Sequence, residues 1–295
     1  MQFRPAAAQD LVPLTGGERG SIAILINAGD LDLAEDMLAD RMRAQGETAE
    51  NLLLRGVLNY HRERYDSALA DLRRSFSLDE HDPTTSKALG LCLVKLGRND
   101  LAETFFEIAA RLAPDDYSGH YYLGLNRYVT KRFESAATSF GRALDLRPHS
   151  VDAHCYLGRS REALGDTETA GRLYRAAVDL NREGAEKSSE PPLLLGTMLF
   201  RQQRLDEAKT LLWEALQYDP DSPLAYYWLG LAFEQTADLT AAVRALQNAA
   251  VLMQTDHRPH YALARIYRRT GRLAESSEAL RRFRELRKRS ESETY

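Results

Sequence analysis

Apolar residues recur along this chain at i, i+3, i+4 and i+7, in short segments that come in pairs. Residues 117–150 hold one such pair. Leu123 and Gly124 stand three residues before Arg127 in the first segment; Phe133, Ala136, Phe140 and Ala143 mark the second, and Pro148 follows it. From Pro223 the pattern returns with Leu229, Gly230 and Phe233, then Leu239, Ala242, Leu246 and Ala249. Each segment predicts one amphipathic α-helix, polar outside and apolar along one stripe. The pairs are themselves periodic. Gly56, Gly90, Gly124 and Gly158 lie 34 residues apart, and after a slip of four residues the series resumes at Gly196 and Gly230, with Ala264 in the next slot. A second small-residue track follows at Ala68, Ala102, Ala136, Ala170, Ala208 and Ala242, ending at Ser276. A strict period of this length marks stacked supersecondary units, each burying its apolar face against its neighbours.

The small residues predict where two antiparallel helices cross, since a larger side chain would push the backbones apart. Leu123, Phe133 and Phe140 fill the space beside that contact. The residue before each unit is Thr48, Asp82, Asp116, Ser150, Ser188, Ser222 or Asp256, all types that accept a hydrogen bond from a helix's first turn. Pro83 and Pro223 then take the first helical position, where no amide donor is needed. Gly29, Gly97, Gly165 and Gly271 fit the stop between the two helices of a unit. The slip falls in residues 181–188. Four residues are about one helical turn, so either the preceding helix lengthens or the loop bulges. It reads as a tolerated edge insertion, or as a local change of superhelix pitch or a docking knob.

These units resemble tetratricopeptide repeats, whose helix-turn-helix pattern carries a Leu-Gly pair, an aromatic three residues on, two Ala, a further aromatic and a terminal Pro. The resemblance spans residues 15–290, with units starting near 15, 49, 83, 117, 151, 189, 223 and 257. It implies an all-α fold, a right-handed α-solenoid of antiparallel helix pairs, between a loose arm at 1–14 and a tail at 291–295. It also implies that each first helix lines a concave face. The inward positions, carried over residue by residue, are rich in Tyr and Arg, types favoured at binding hot spots. The peptide-binding candidates are Tyr121, Leu125, Tyr128, Arg159, Phe200, Tyr227, Tyr261, Arg265, Arg268 and Arg269. Leu231 and Glu234 share the inward columns. The carboxylate clamp of the family's chaperone-tail binders is not matched: Lys87 fits its first Lys, but Leu91, Tyr122, Asp152 and Tyr156 replace the rest.

Composition agrees with this reading. Hydrophobic residues are 44%, charged residues 28% and the net charge is −4. No apolar run reaches the ~18 residues of a membrane span, so no membrane insertion is expected, and the N-terminus lacks the apolar core of a secretory signal. The expected location is cytoplasmic, unless the chain is a piece of a longer exported protein. Cys92 and Cys155 sit two units apart, so no disulfide between them is expected and both read as reduced thiols. His120, His154 and His260 share one column, but equivalent atoms of neighbouring units lie about two interhelix distances of 8–10 Å apart, too far to share an ion. No metal or cofactor is expected. Phosphate-binding glycine loops, metalloprotease motifs and nucleophile elbows are absent from the sequence, and the chain is read as no enzyme. Basic residues form no continuous stripe, which argues against nucleic acid.

Charge is uneven: from His257 onward there are eleven Arg or Lys and five Glu. This is either a solvated last helix or an acidic-partner dock at the end of the groove. The partner expected is a protein or peptide with acidic and apolar side chains. The chain then acts as a protein-binding scaffold, or as the recruiting arm of a larger enzyme or assembly machine.

Overall fold

The computed structural model describes residues 18–292, and every regular element among them is an α-helix. The arm read at 1–14 lies outside the described residues, as does the tail beyond Ser292. Two compact units divide the chain at Asp166. In the first, helix pairs stack in chain order: α1 (Glu18–Ala28) with α2 (Leu31–Gln45), α3 (Ala49–His61) with α4 (Tyr65–Leu78), α5 (Pro83–Lys95) with α6 (Asn99–Leu112), and α7 (Tyr117–Val129) with α8 (Phe133–Leu146); α9 (Val151–Ala163) closes it. The second begins with α10 (Thr167–Glu183). It continues as the pairs α11 (Glu190–Arg201) and α12 (Leu205–Tyr218), α13 (Pro223–Gln235) and α14 (Leu239–Leu252), and α15 (Arg258–Arg269) and α16 (Leu273–Ser292).

The glycine column is clearance. A Cβ on Gly56 would lie 2.6 Å from Cγ of Leu72, on Gly90 2.5 Å from Cε1 of Phe106, and on Gly124 2.8 Å from Cδ1 of Phe140. In the second unit the same Cβ would lie 3.0 Å from Leu212 at Gly196 and 2.6 Å from Leu246 at Gly230. Each partner is fully buried and sits on the second helix of the same pair. The alanine column from Ala68 to Ala242 is equally buried. First and second helices therefore touch almost backbone to side chain, and one apolar side chain fills each crossing.

Helix starts follow the capping chemistry, with a difference in the second unit. Thr48 accepts from the Asn51 amide at 3.2 Å, Asp82 from Thr84 at 3.0 Å, Asp116 from Ser118 at 3.0 Å and Ser150 from Ala153 at 3.2 Å. Helices α11 and α15 instead start after Ser189 and His257, residues that already have helical backbone angles. Ser188 and Asp256, just upstream, still accept from the amides of Glu190 at 3.2 Å and Arg258 at 2.8 Å. Ser222 holds the cap position with no side-chain bond to the first turn of α13.

The turns inside the repeats are more uniform than their sequences. Gly29, Gly97, Gly165 and Gly271 have φ of +86°, +72°, +85° and +74°; Glu63, Lys131, Gln203 and Ala237 occupy the same slot at 58°, 62°, 63° and 62°. The left-handed conformation is imposed by the helix pair and accepted by side chains that would not choose it.

The four-residue slip is absorbed mainly by helix. Helix α10 has 17 residues where α12 and α14 have 14. The buried Asn181 amide donates to the Ser188 carbonyl at 2.9 Å, and its carbonyl accepts from the Ser188 amide at 2.8 Å. The Lys187 ammonium donates to the carbonyls of Asn181 at 3.1 Å, of Gly184 at 2.6 Å and of Arg182. The extra residues thus cap their own helix.

Three substitutions test these statements. Gly124→Leu forces side-chain atoms into the Phe140 ring, and thermal or chemical unfolding should show a loss of about 1–3 kcal/mol; an unchanged midpoint would reject the crossing. Ala237→Gly relieves left-handed strain of ~1–2 kcal/mol against ~0.4–1 kcal/mol of added unfolded-state entropy. The net should be a gain of roughly 0.5–1 kcal/mol, whereas Gly271→Ala should lose stability.

Candidate functional site

The second unit holds an open groove of about 710 Å³ lined only by first helices of successive pairs. Phe200 comes from α11; Tyr227, Leu231, Glu234 and Gln235 come from α13; Arg258, Tyr261, Ala262, Arg265 and Arg269 come from α15. The α15 contribution is one stripe. Arg258, Tyr261, Arg265 and Arg269 are spaced three, four and four residues apart, which keeps them on one helical face. Arg268, an inward position in the sequence reading, is exposed and is not among the groove-lining residues.

Glu234 organises the electrostatics. Its carboxylate is nearly buried, at 6% exposure, while the side chains of Arg265 and Arg269 are each 50% exposed. Arg265 donates from Nε at 2.8 Å and also from Nη2; Arg269 donates from Nη1 at 3.4 Å. The hydrogen-bonded Glu234 carboxylate holds the Arg265 guanidinium pKa above its ordinary value. Arg258 is bonded to Asp256, from Nη2 at 2.6 Å, and its guanidinium lies 5.2 Å from the Tyr227 ring centroid. Burial pushes the Asp256 carboxyl up, but bonds from Arg258 outweigh it and leave it below the usual carboxylate range. Burial raises the Tyr227 phenol, with Arg258 opposing. Tyr261 is half exposed and packs 5.2 Å from the Phe283 ring.

The first-unit candidates form a different kind of cluster. Tyr121 and Leu125 are core residues, 1% and 2% exposed, and offer no surface to a ligand. Tyr121 is enclosed by Tyr117, Phe140 and Tyr156 at ring distances of 5.3, 5.8 and 6.2 Å, so its column is filled by aromatic packing. Tyr128 is half buried between Phe133 and Tyr156, and the Arg159 guanidinium sits 5.4 Å from the Tyr156 ring. Lys87 is buried on Ser118 at 2.6 Å and Asp116 at 3.2 Å, a structural pairing.

The histidine column is anchored to backbone where bonds are seen: His120 Nε2 lies 3.0 Å from the Pro114 carbonyl and His154 Nδ1 2.9 Å from that of Ser150. Burial, helped by Arg282, lowers the pKa of His260. Among the described residues no three His, Cys, Asp or Glu are placed to hold a metal ion, and no helix is long and apolar enough to cross a membrane. Cys92 and Cys155 are buried and not joined in a disulfide, and burial pushes the Cys92 thiol up to about 11.

On the other side of the second unit, α14 and α16 flank a more apolar cleft of about 780 Å³ containing Val251, His260, Leu263 and Ala279. Zinc titrated into the chain should give no tight stoichiometric isotherm; a one-to-one sub-micromolar site lost in His154→Ala would contradict the packing of this column.

Comparison with known proteins places these features in a family. Sequence models of the tetratricopeptide repeat match residues 87–138, 121–185 and 257–288, and one described as TPR repeat matches 196–236. No curated protein sequence matches the chain. Among solved structures, the APC/C hetero-tetramer Cut9-Hcn1 superposes with a TM-score of 0.68 at 16% identity, over 84% of this chain. This chain spans about half, 48%, of that neighbour. YrrB, titled a TPR protein with an unusual peptide-binding site, gives 0.52 at 20% identity over 65% of this chain and 96% of its own. A monomeric IFIT1 mutant with Gppp-AAAA gives 0.51 at 16% identity over 90% of this chain and 68% of its own. At these identities the neighbours report the fold. The repeat matches, the sixteen helices among the described residues and the glycine crossings agree: the chain belongs to the tetratricopeptide-repeat family.

Proposed function

We propose that this chain is a non-catalytic scaffold that holds an extended or helical peptide along the α11–α13–α15 groove of its second unit. The observation that carries this is the stripe Arg258, Tyr261, Arg265 and Arg269 facing Tyr227 and Phe200 across one open groove. Tyrosine supplies contact area with a polar tip, and arginine supplies a fork of donors for carboxylates. Glu234, held by two guanidiniums, suits recognition and is poorly placed for proton transfer. The partner class is an acidic and apolar peptide. A nucleic acid would bring a polyanion to a chain of net charge −4. The groove belongs to a repeat array that we place over 15–290, between an arm at 1–14 and a short tail.

Tyr128, Arg159 and Arg268 remain secondary contact candidates; Tyr121 and Leu125 leave the list because they are buried. A second reading puts the partner in the apolar cleft between α14 and α16, favoured by Val251 at 68% exposure.

A random displayed peptide library separates the readings. Selected sequences should be rich in acidic and apolar residues and bind with micromolar affinity, about −8 kcal/mol, weakening as salt shortens the Debye length from ~10 Å at 0.1 M. Arg258→Gln/Tyr261→Ser should abolish capture, and Val251→Ser/Arg282→Gln in the α14–α16 cleft should retain it. The reverse outcome would move the interface to the α14–α16 side.

A further inference from the structure

The groove's charges are partly spent inside the protein, and the remainder is small. Arg258, Arg265 and Arg269 line it, yet Arg258 is bonded to Asp256, and Arg265 and Arg269 share Glu234. Three guanidiniums against two carboxylates leave one positive charge for a ligand. That charge is displaced toward Arg269, whose contact with Glu234 is the looser at 3.4 Å, against 2.8 Å for Arg265 Nε. Around it stand the rings of Tyr227 and Tyr261 and the apolar sides of Leu231 and Ala262.

Resting on the proposed peptide reading, we infer that this groove is a single-carboxylate pocket, with Glu234 as the counter-ion that sets its selectivity. It takes one Asp or Glu side chain with aromatic or aliphatic neighbours, and it discriminates against a phosphate. A carboxylate meets one uncompensated guanidinium and forms charge-assisted bonds. A phosphoryl group carries close to two charges at neutral pH; its second charge finds no further uncompensated cation among the groove-lining residues and approaches Glu234 and Asp256 instead. The wild-type pairings thus reject a dianion by leaving it half neutralised, in the manner of a repulsive specificity element.

The test uses three capped tripeptides, acetyl-Trp-Xaa-Trp-amide, with Glu, Gln or phosphoserine at the centre, at pH 7.5. Each is titrated into the full chain by NMR. The ring signals of Tyr227 and Tyr261, assigned through Tyr227→Phe and Tyr261→Phe, are the readout. The Glu peptide should shift both signals and bind at least tenfold tighter than the Gln peptide, with phosphoserine no tighter than Glu. In Glu234→Gln the phosphoserine peptide should gain at least tenfold relative to the Glu peptide. Asp256→Asn, which leaves the buried carboxylate in place, should move the ratio the same way and carries the test if Glu234→Gln does not fold. Equal binding of the Glu and Gln peptides, a parent chain that prefers phosphoserine, or variants that leave the ratio unchanged would overturn the charge selection while leaving the groove as a peptide site. No shift at either tyrosine with any peptide would overturn the groove reading together with it.

Discussion

One contact sets the rest: a glycine on five of the first helices facing a single large apolar residue on the second. Gly56 with Leu72, Gly90 with Phe106, Gly124 with Phe140, Gly196 with Leu212 and Gly230 with Leu246 are the same crossing repeated. Removing one Cβ lets the helices approach closely, and filling the gap with one buried side chain fixes how far. Interior packing tolerates little change in volume, so the repeat is copied with small variation. With the crossing fixed, the second helices take one side of each stack and the first helices the other. That is why one groove in the second unit is walled by α11, α13 and α15 alone.

The groove shows how a repeat becomes particular. Backbone geometry supplies only an open slot between first helices; its character comes from a few side chains. In the first unit Tyr121, at the position of Tyr227, packs against Tyr156 and Phe140, so that part of the slot is core. In the second unit Glu234, at the position that Tyr128 takes in the first, is buried, and a buried carboxylate demands partners. Arg265 and Arg269 answer that demand and remain half in water. One buried acid therefore keeps two guanidiniums in place at the surface, with less rotamer freedom left to lose when a ligand arrives.

Much of the fold was legible in sequence because its signals are local and repeated. The glycine and alanine columns, the N-cap column and the heptad-like spacing each report a constraint that acts within one helix pair. The turns at Glu63, Lys131, Gln203 and Ala237 were not legible, since the helix pair, and not the residue, imposes their left-handed backbone. The site was legible in part. Phe200, Tyr227, Tyr261, Arg265 and Arg269 meet at one groove, but residue type could not tell Tyr261, half exposed, from Tyr121, sealed under its neighbours. Arg258 was missed although the signal existed: it lies three residues before Tyr261 and seven before Arg265, on the same face. Arg268 was included as an inward position of the repeat register, seven residues after Tyr261; it is exposed but not among the groove-lining residues.

Position-specific photo-crosslinking tests the central claim most directly. A photoreactive phenylalanine analogue is placed at Tyr261 in one chain and at Val251 in another, and each is irradiated with a selected acidic–apolar peptide. The account predicts a covalent adduct from position 261, mapped by mass spectrometry to residues beside the peptide's carboxylate, and none from position 251. An adduct from position 251 alone would place the partner in the cleft between α14 and α16 and contradict the groove assignment.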